Sequence, residues 1–252
     1  MKTTDIKIPE NVKGYIYGES GSGKTRTLST APKPMYMFDC DKGVQTIAGV
    51  PGIEYDLYRP ESRKKTLPVL NAVKTKIAEL QRDCPFATVA LDSSTFYGNW
   101  ILDKLITINN RWGQTPQLRK QDYGTLADEL AELFLDLLNI DANVFITGHG
   151  RVLVPDEDSK NTSTLYLPLM HGQKFPQQLP MYFDELYRTV IKIKPGTSDN
   201  QYVLQTQSDT RWSAKTRLTR YDKKKGEIVN VLDKYEESNL TMLIEKVAKA
   251  RG

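Results

Sequence analysis

The stretch of sequence that decides the fold reads Gly18-Glu19-Ser20-Gly21-Ser22-Gly23-Lys24-Thr25. It satisfies the pattern G-x-x-x-x-G-K-[ST], in which glycines let successive backbone N–H groups curl around a phosphate at the positive end of a helix. An apolar run at residues 14–17 precedes it, and residues 24–29 are expected to open a helix. Strand, loop and helix in this order are the context that the pattern requires, so the sequence predicts a nucleotide-phosphate site.

The polar side chains of this loop have distinct expected tasks. Lys24 neutralises the β and γ oxygens of a nucleotide, and the hydroxyl of Thr25 is a ligand for Mg²⁺. Arg26 follows directly and is counted with the nucleotide-binding segment. The expected ligands are therefore ATP and Mg²⁺. The alternative is a glycine-rich turn that matches the pattern by chance, and the strand and helix around the loop argue against it.

Outside the loop, apolar runs of strand length alternate with segments of helical periodicity, which is typical of βαβ units and a mainly parallel sheet. We therefore predict an α/β fold. The predicted strands are residues 14–17, 35–38, 88–91 and 144–147, followed by short β-rich pieces at 189–193 and 202–206. The predicted helices are 69–82, 95–108, 126–138 with a capping box at Thr125 and Asp128, and 239–250. Residues 109–124 and 148–164 are predicted loops.

Composition limits the class of protein. The 252 residues are 39% hydrophobic and 26% charged, which is ordinary for a soluble globular chain. Cys40 and Cys84 are expected to be small buried residues in a reducing compartment. No apolar stretch approaches the length of a membrane helix and the N-terminus lacks the core of a signal peptide, so we expect a cytoplasmic protein with no membrane partner. A net charge of +4 favours anionic partners only mildly.

Acidic residues follow two of the predicted strands. Asp92 ends the apolar run 88–91, where a nucleotide hydrolase needs a carboxylate for its magnesium, and the alternative is a strand-end turn. Hydrolysis also requires a group that orients the attacking water. AAA-type ATPases usually place a glutamate directly after the metal-site aspartate, whereas this chain has Ser93. The candidates are Asp39 and Asp41, at the end of the second strand.

The loop, the strand end Phe38-Asp39-Cys40-Asp41 and the segment Leu91-Asp92-Ser93 together resemble RecA-like ATPases. The order of further short motifs resembles bacteriophage-type proteins of the Sak kind, which assist single-strand annealing and homologous recombination. These motifs are Asp122-Tyr123-Gly124, Gly148-His149, Leu179-Pro180, Phe183-Asp184-Glu185 and Ala214-Lys215-Thr216-Arg217, and the resemblance spans most of residues 14–220. It implies a single RecA-like P-loop NTPase domain, with a core at about 10–195 and a β-rich extension and C-terminal helix at about 196–252.

The resemblance also implies roles for single residues. RecA-like proteins place the catalytic carboxylate beside the metal-site strand, where Asp39 and Asp41 stand, although they commonly carry glutamate at the position of Asp41. His149 follows the fourth strand and is a candidate γ-phosphate sensor, with a surface-loop histidine as the alternative. Lys215 and Arg217 are candidate cations for the γ-phosphate of a neighbouring subunit, with DNA binding or a solvated hairpin as the alternatives. His171 is taken as structural, and ligand spacing for zinc is absent.

Basic residues interleaved with aromatic ones suggest a second anionic ligand, because aromatic stacking and phosphate pairing hold single strands without reading their sequence. Three segments qualify. In the first segment the candidate DNA-binding residues are Arg220, Lys223 and Lys224, and a solvated hairpin is the alternative. In the second segment they are Arg111, Trp112, Arg119 and Lys120. The third segment runs from Arg151, its candidate residue, to Lys160, and its acidic residues 156–158 would repel phosphate.

Together these features predict an ATP-driven or ATP-gated protein that acts on single-stranded DNA in recombination. The expected partners are single-stranded DNA, further copies of the chain in a ring or filament, and a single-strand-binding protein. Two alternatives stay open: a nucleotide-dependent regulator or loader of a replication protein, and a P-loop kinase for a small molecule.

Overall fold

A mostly parallel β-sheet forms the centre of the computed structural model, which describes residues 11–113, 115–153, 165–169 and 175–251. The strands are β1 Lys13–Gly18, β2 Met35–Asp39, β3 Ile53–Leu57, β4 Thr88–Asp92, β5 Asn143–Leu153, β6 Leu165–Pro168, β7 Glu185–Ile193, β8 Asn200–Gln205, β9 Thr219–Asp222, β10 Glu227–Asn230 and β11 Tyr235–Glu237. The helices are α1 Lys24–Leu28, α2 Leu67–Arg82, α3 Ser94–Ile108, α4 Lys120–Leu138, α5 Phe175–Gln178 and α6 Leu240–Arg251.

The strand order in the described part of the sheet is β11-β8-β7-β1-β5-β4-β2-β3. The six strands from β7 to β3 run parallel, whereas β8 and β11 are antiparallel additions and β6 folds back on β5. The predicted α/β class, with a mainly parallel sheet and a β-rich C-terminal region, is confirmed. Strand β2 is the neighbour of β4, as the RecA-like resemblance implies.

Side-chain alternation along β1 shows how the sheet separates two apolar layers. Tyr15 and Tyr17 lie in the core that α2, α3 and α4 cover. Ile16 lies in the other core, which contains Leu28 of α1 and Leu240 of α6. Because central parallel strands are buried on both faces, they consist of continuous apolar runs, and this is why the sequence revealed β1, β2, β4 and β5.

Helix α4 begins earlier than predicted. The predicted start, with a capping box at Thr125 and Asp128, is wrong because the helix already begins at Lys120. The Asp122 carboxylate accepts the Arg119 backbone N–H at 2.6 Å and satisfies a donor of the first turn. This first turn is polar, so apolar periodicity in the sequence gives no sign of it.

Two strands also differ from the prediction. The fourth predicted strand ends at Thr147, but β5 continues to Leu153 because β6 pairs with its extension. Strand β3 was not predicted: it is an edge strand with four exposed residues among five, and its sequence lacks an apolar run. No helix in the described ranges combines the length and apolar character needed to cross a membrane.

The packing of α4 yields a stability prediction. Leu130 is 1% exposed and lies over Gly98 of α3, whereas Leu135 on the same helix is 53% exposed. We expect Leu130→Ala to lower the free energy of unfolding by about 2–5 kcal/mol, since it leaves a cavity in the core. Leu135→Ala, the matched control, should change it by less than about 0.5 kcal/mol. Urea denaturation measures both, and equal effects would contradict this packing.

Candidate active site

The glycine-rich loop connects β1 to α1 at the carboxyl edge of the sheet. Gly21 and Gly23 have positive φ values of 76° and 90°, a conformation that favours glycine. A Cβ on Gly21 would meet nothing within 4 Å, whereas one on Gly23 would lie 2.6 Å from the Tyr202 ring. The loop is therefore open at Gly21, and at Gly23 it packs against Tyr202 of β8.

Strand β7 supports the start of the same loop. Thr189 and Ser22 are joined by a 2.6 Å hydrogen bond between their hydroxyls, and Thr189 leaves no space for a Cβ on Gly18. Glu19 and Ser20, between these supports, are exposed. Arg26 is also exposed, and its guanidinium carbon lies 4.9 Å from the centroid of the Tyr202 ring.

The side chain of Lys24, in the first turn of α1, extends back along the loop toward its start. Its ammonium donates to the carbonyl oxygens of Gly18 and Glu19, at 3.1 and 2.8 Å. Burial lowers the pKa of Lys24, while Asp92 and Asp41 oppose that shift. The ammonium thus has acidic neighbours and two neutral carbonyl partners, which it can exchange for charged phosphate oxygens.

Asp92 is a buried carboxylate held by two threonines. The Thr25 hydroxyl donates to Asp92 Oδ2 at 2.5 Å, and the Thr147 hydroxyl of β5 donates to Asp92 Oδ1. Burial, together with the charge of Asp41, raises the pKa of Asp92 to about 6. A cation beside it would favour the charged carboxylate and reverse that shift. The predicted pair Thr25 and Asp92 is thus brought together.

Gly43 marks the point where the oxygens of the site converge. A Cβ on this residue would stand 2.5 Å from Asp92 Oδ2, 2.6 Å from Thr25 Oγ1 and 3.0 Å from Asp41 Oδ1. Such a set of hard oxygens fits Mg²⁺, which is commonly bound by one or two protein groups together with nucleotide phosphates. No cluster of three or more His, Cys, Asp or Glu that could hold a metal by itself occurs in the described residues.

Asp39 and Asp41 occupy different environments although they are two residues apart. Asp39 is fully buried, and its Oδ1 accepts the backbone N–H groups of residues 41, 42 and 43 while Oδ2 accepts that of Val44. Asp41 is half-buried and accepts only the N–H of Gly43, at 2.9 Å through Oδ1. Asp39 therefore shapes the turn, and Asp41 keeps an oxygen without a protein hydrogen bond among the described residues.

His149 lies beside the loop, since it pairs with Gly18 in the parallel register of β5 and β1. Its backbone N–H donates to the Thr95 hydroxyl, and its ring centroid is 6.2 Å from that of Phe96. Burial and the charge of Lys24 lower the pKa of His149, so the neutral form is favoured near pH 7. A role as phosphate sensor stays a prediction.

Lys215 and Arg217 are occupied within the chain. The Lys215 ammonium donates to the carbonyls of Pro180 and Phe183, both at 2.8 Å. Arg217 forms an exposed ion pair with Asp184 at 2.6 Å. Contact of either side chain with a neighbouring subunit stays a prediction, and it requires these contacts to break.

The basic candidates of the second segment separate in the structure. Arg111 turns inward and forms a two-pronged ion pair with Asp122, whereas Arg119 and Lys120 are exposed. Arg63 and Lys64, which the sequence reasoning missed, approach the Trp112 ring to 5.1 and 5.8 Å. Their basic run is visible in the sequence, but only the fold shows that it meets Trp112. We call Arg63, Lys64 and Trp112, together with the exposed Arg119 and Lys120 at the start of α4, the Trp112 cluster; the contacts with the ring are those of Arg63 and Lys64.

The first segment forms a hairpin of β9 and β10, with Arg220, Lys223 and Lys224 exposed on it. Its turn is built as the sequence suggested, since the Asp222 carboxylate accepts the Lys224 N–H and Gly226 has a φ of 70°. In the third segment Arg151 pairs with β6. The rest of that segment, residues 154–160, and also His171 lie outside the described residues.

The crowded position of Gly43 yields a prediction for catalysis. Gly43→Ala inserts a methyl group among the oxygens of Thr25, Asp41 and Asp92, so we expect ATP turnover at saturating Mg²⁺ to fall at least about tenfold. Gly124→Ala is the matched control, because a Cβ there meets nothing within 4 Å. Turnover is measured across Mg²⁺ concentration. Wild-type turnover and Mg²⁺ dependence in Gly43→Ala would contradict the metal site.

A protein family and a solved structure are similar to this chain. A family model described as AAA domain matches residues 10–218. None of the curated proteins matches the chain. Among solved structures, the crystal structure of the RadB recombinase is similar at 18% sequence identity and a TM-score of 0.43, covering 89% of this chain and 92% of that chain. Because the family model spans most of the sequence, the chain belongs to the AAA domain family, with a P-loop ATPase fold.

Proposed function

We propose that the chain is a Mg²⁺-dependent ATPase that acts on single-stranded DNA in phage-type homologous recombination or single-strand annealing, as a homo-oligomer in the cytoplasm. The observation that carries the ATPase is the meeting of the P-loop with the oxygens of Thr25, Asp41 and Asp92 around Gly43. The recombination setting rests on the order of short motifs that resemble Sak-type proteins.

Each residue of the site has a task in this proposal. Backbone N–H groups of the loop and the Lys24 ammonium bind the phosphates, which replace the carbonyl partners of Lys24. Thr25 and Asp92 would hold Mg²⁺, which when bound neutralises charge on the β and γ phosphates. Asp41 accepts a proton from the attacking water and orients it through the oxygen that the turn leaves available. His149 donates a hydrogen bond to the γ-phosphate.

Assembly completes the proposed ATPase. Lys215 and Arg217 would stabilise the γ-phosphate of a neighbouring copy, and a cation supplied in this way adds about 10³–10⁵ in rate where it has been studied. Arg217 is the more available of the two, since its ion pair with Asp184 is exposed and such pairs contribute little to stability. Lys215 has two backbone partners to give up.

The DNA-binding part rests on the Trp112 cluster. Arg63 and Lys64, from the loop before α2, approach the ring of Trp112, which lies in the loop before α4. An aromatic ring with neighbouring cations is the combination that holds single strands through stacking and phosphate pairing. The hairpin residues Lys223 and Lys224 are exposed cations that extend the proposed surface. Arg111 is left out, because its guanidinium is committed to Asp122.

One observation favours the alternative of a nucleotide-dependent regulator or loader without DNA affinity of its own. Arg63 is already paired with Asp103, with hydrogen bonds of 2.6 to 3.1 Å. A cation that has a carboxylate partner gains less from a phosphate. The two functions differ in one measurable property, which is affinity for single-stranded DNA.

The unequal environments of the two aspartates yield a prediction for hydrolysis. Asp41→Asn should bind ATP with wild-type affinity and lose about 100-fold or more in turnover, the usual loss on removal of a general base. Asp39→Asn should mainly lower the thermal unfolding midpoint, since four backbone N–H groups depend on its carboxylate. A fluorescent ATP analogue, steady-state turnover and thermal unfolding separate these effects. Wild-type turnover in Asp41→Asn would place the base elsewhere.

Two measurements test the function as a whole. The first is the ATPase rate with and without single-stranded DNA, and the second is the affinity for single-stranded DNA across salt concentration. We expect stimulation of the rate, and a linear fall of log affinity with log salt concentration. Arg119→Ala combined with Lys120→Ala should weaken binding and flatten that slope by about 0.7 for each phosphate that the protein no longer neutralises. The control removes the same charge from two other exposed cations by Lys194→Ala with Lys249→Ala. Absence of DNA affinity in the wild type would favour the regulator.

A further inference from the structure

A cavity of about 230 Å³ adjoins the P-loop. It opens where β5 and β7 continue past the end of β1, and none of Lys24, Thr25, Asp41 and Asp92 lines it. Its lining includes Glu19, Ser20, Arg151, Tyr166, Arg188 and Trp212. The cavity is therefore separate from the metal site but shares a wall with the loop that binds ATP.

Three planar side chains from different parts of the chain are stacked along this cavity. The Tyr166 and Trp212 rings have centroids 3.6 Å apart and planes that differ by 22°. The Arg188 guanidinium carbon lies 2.9 Å from the centroid of the Trp212 ring. Aromatic rings and guanidinium planes are the surfaces on which unpaired bases stack, so the lining is chemically suited to a nucleobase.

Arg188 also has hydrogen-bonding capacity that the described residues do not use. It is half-buried, and its one side-chain hydrogen bond in that part of the chain goes from Nη1 to Gln205 Oε1 at 3.1 Å. No carboxylate in the described residues forms an ion pair with it. Asp209 and Glu19 are near enough to favour its charged form but do not form an ion pair with it. A guanidinium carries five N–H donors, so a half-buried one with donors to spare favours an anionic ligand.

We propose that this cavity holds one unpaired nucleotide of a single strand, with its base on the ring of Tyr166 and its phosphate on Arg188, while Trp212, which lies between these two side chains, holds both in place. The inference rests on the proposed action on single-stranded DNA and adds a particular binding site to it. A purely apolar peptide segment would leave the donors of Arg188 unsatisfied, whereas a nucleotide supplies both a planar face and an anion.

The site also gives a physical route between DNA and ATP. Arg188 precedes Thr189, whose hydroxyl is bonded to Ser22 and whose side chain packs under Gly18. Glu19 and Ser20 line the cavity on one side and belong to the P-loop on the other. A nucleotide in the cavity therefore touches the loop directly, and its presence alters the environment of bound ATP.

Crosslinking and variants test the proposal in the full-length chain. An oligothymidylate with one 5-iodouracil is irradiated with the protein, and we expect the crosslink on the peptides that contain Tyr166 or Trp212. Trp212→Leu removes the ring that holds Tyr166 and Arg188 in place, and Arg188→Gln removes the cation. Each should weaken binding of the same oligonucleotide about fivefold or more, as expected when one base no longer stacks on the protein. Trp212→Phe, which keeps an aromatic face, should retain most of the affinity.

The matched control is Tyr235→Leu. Tyr235 also stacks with a cation, since the Lys192 ammonium lies 3.3 Å from its ring centroid, but it does not line the cavity. Its loss should leave affinity unchanged. If Trp212→Leu does not fold, the wild-type crosslink and Arg188→Gln decide the question.

The outcomes separate the two levels of the proposal. Wild-type protein that binds no oligonucleotide at low salt overturns both the proposed function and this site. Wild-type protein that binds normally, with crosslinks on other peptides and wild-type affinity in both cavity variants, overturns the cavity site alone and leaves the DNA function standing.

Discussion

The buried carboxylate of Asp92 is the constraint on which the arrangement of the site depends. A charge in this position is costly unless it is hydrogen-bonded, and burial already raises its pKa to about 6. Thr25 from α1 and Thr147 from β5 each donate to it, so one side chain links the P-loop helix to two central strands. The parallel register that sets Asp39 opposite Asp92 then brings the turn with Asp41 and Gly43 to the same point.

The other side of the P-loop depends on the later part of the chain. Thr189 of β7 fixes Ser22, and Tyr202 of β8 packs against Gly23. Within the single predicted domain, the core at about 10–195 includes β7 and the β-rich extension includes β8, and both strands support the nucleotide loop. The antiparallel addition is therefore part of the proposed ATP site. Strand pairing between β7 and β8 explains how a short loop of small residues keeps a defined shape.

The sequence predicted those features of the fold and the site that a short stretch of residues determines by itself. The P-loop, Asp92 and the buried strands β1, β2, β4 and β5 were accessible because a motif or an apolar run marks each one. Strand β3 and the start of α4 were not, since both are polar and acquire their structure from pairing with β2 and from Asp122. The meeting of Arg63 with Trp112, and the cavity stack, join residues far apart in sequence, which no local pattern records.

The two aspartates show how a fold assigns different tasks to identical residues. The sequence places both after the same strand and leaves the choice of base open. Asp39 ends β2 with its side chain under the turn, where four backbone N–H groups saturate its oxygens, so it cannot exchange partners without losing the turn. Asp41 lies on that turn, and its Oδ1 accepts the backbone N–H of Gly43. Asp41, which can respond to a ligand, is therefore positioned by the turn that Asp39 stabilises. Since Gly43 belongs to the same turn, the position of Asp41 and the space for a cation are set together.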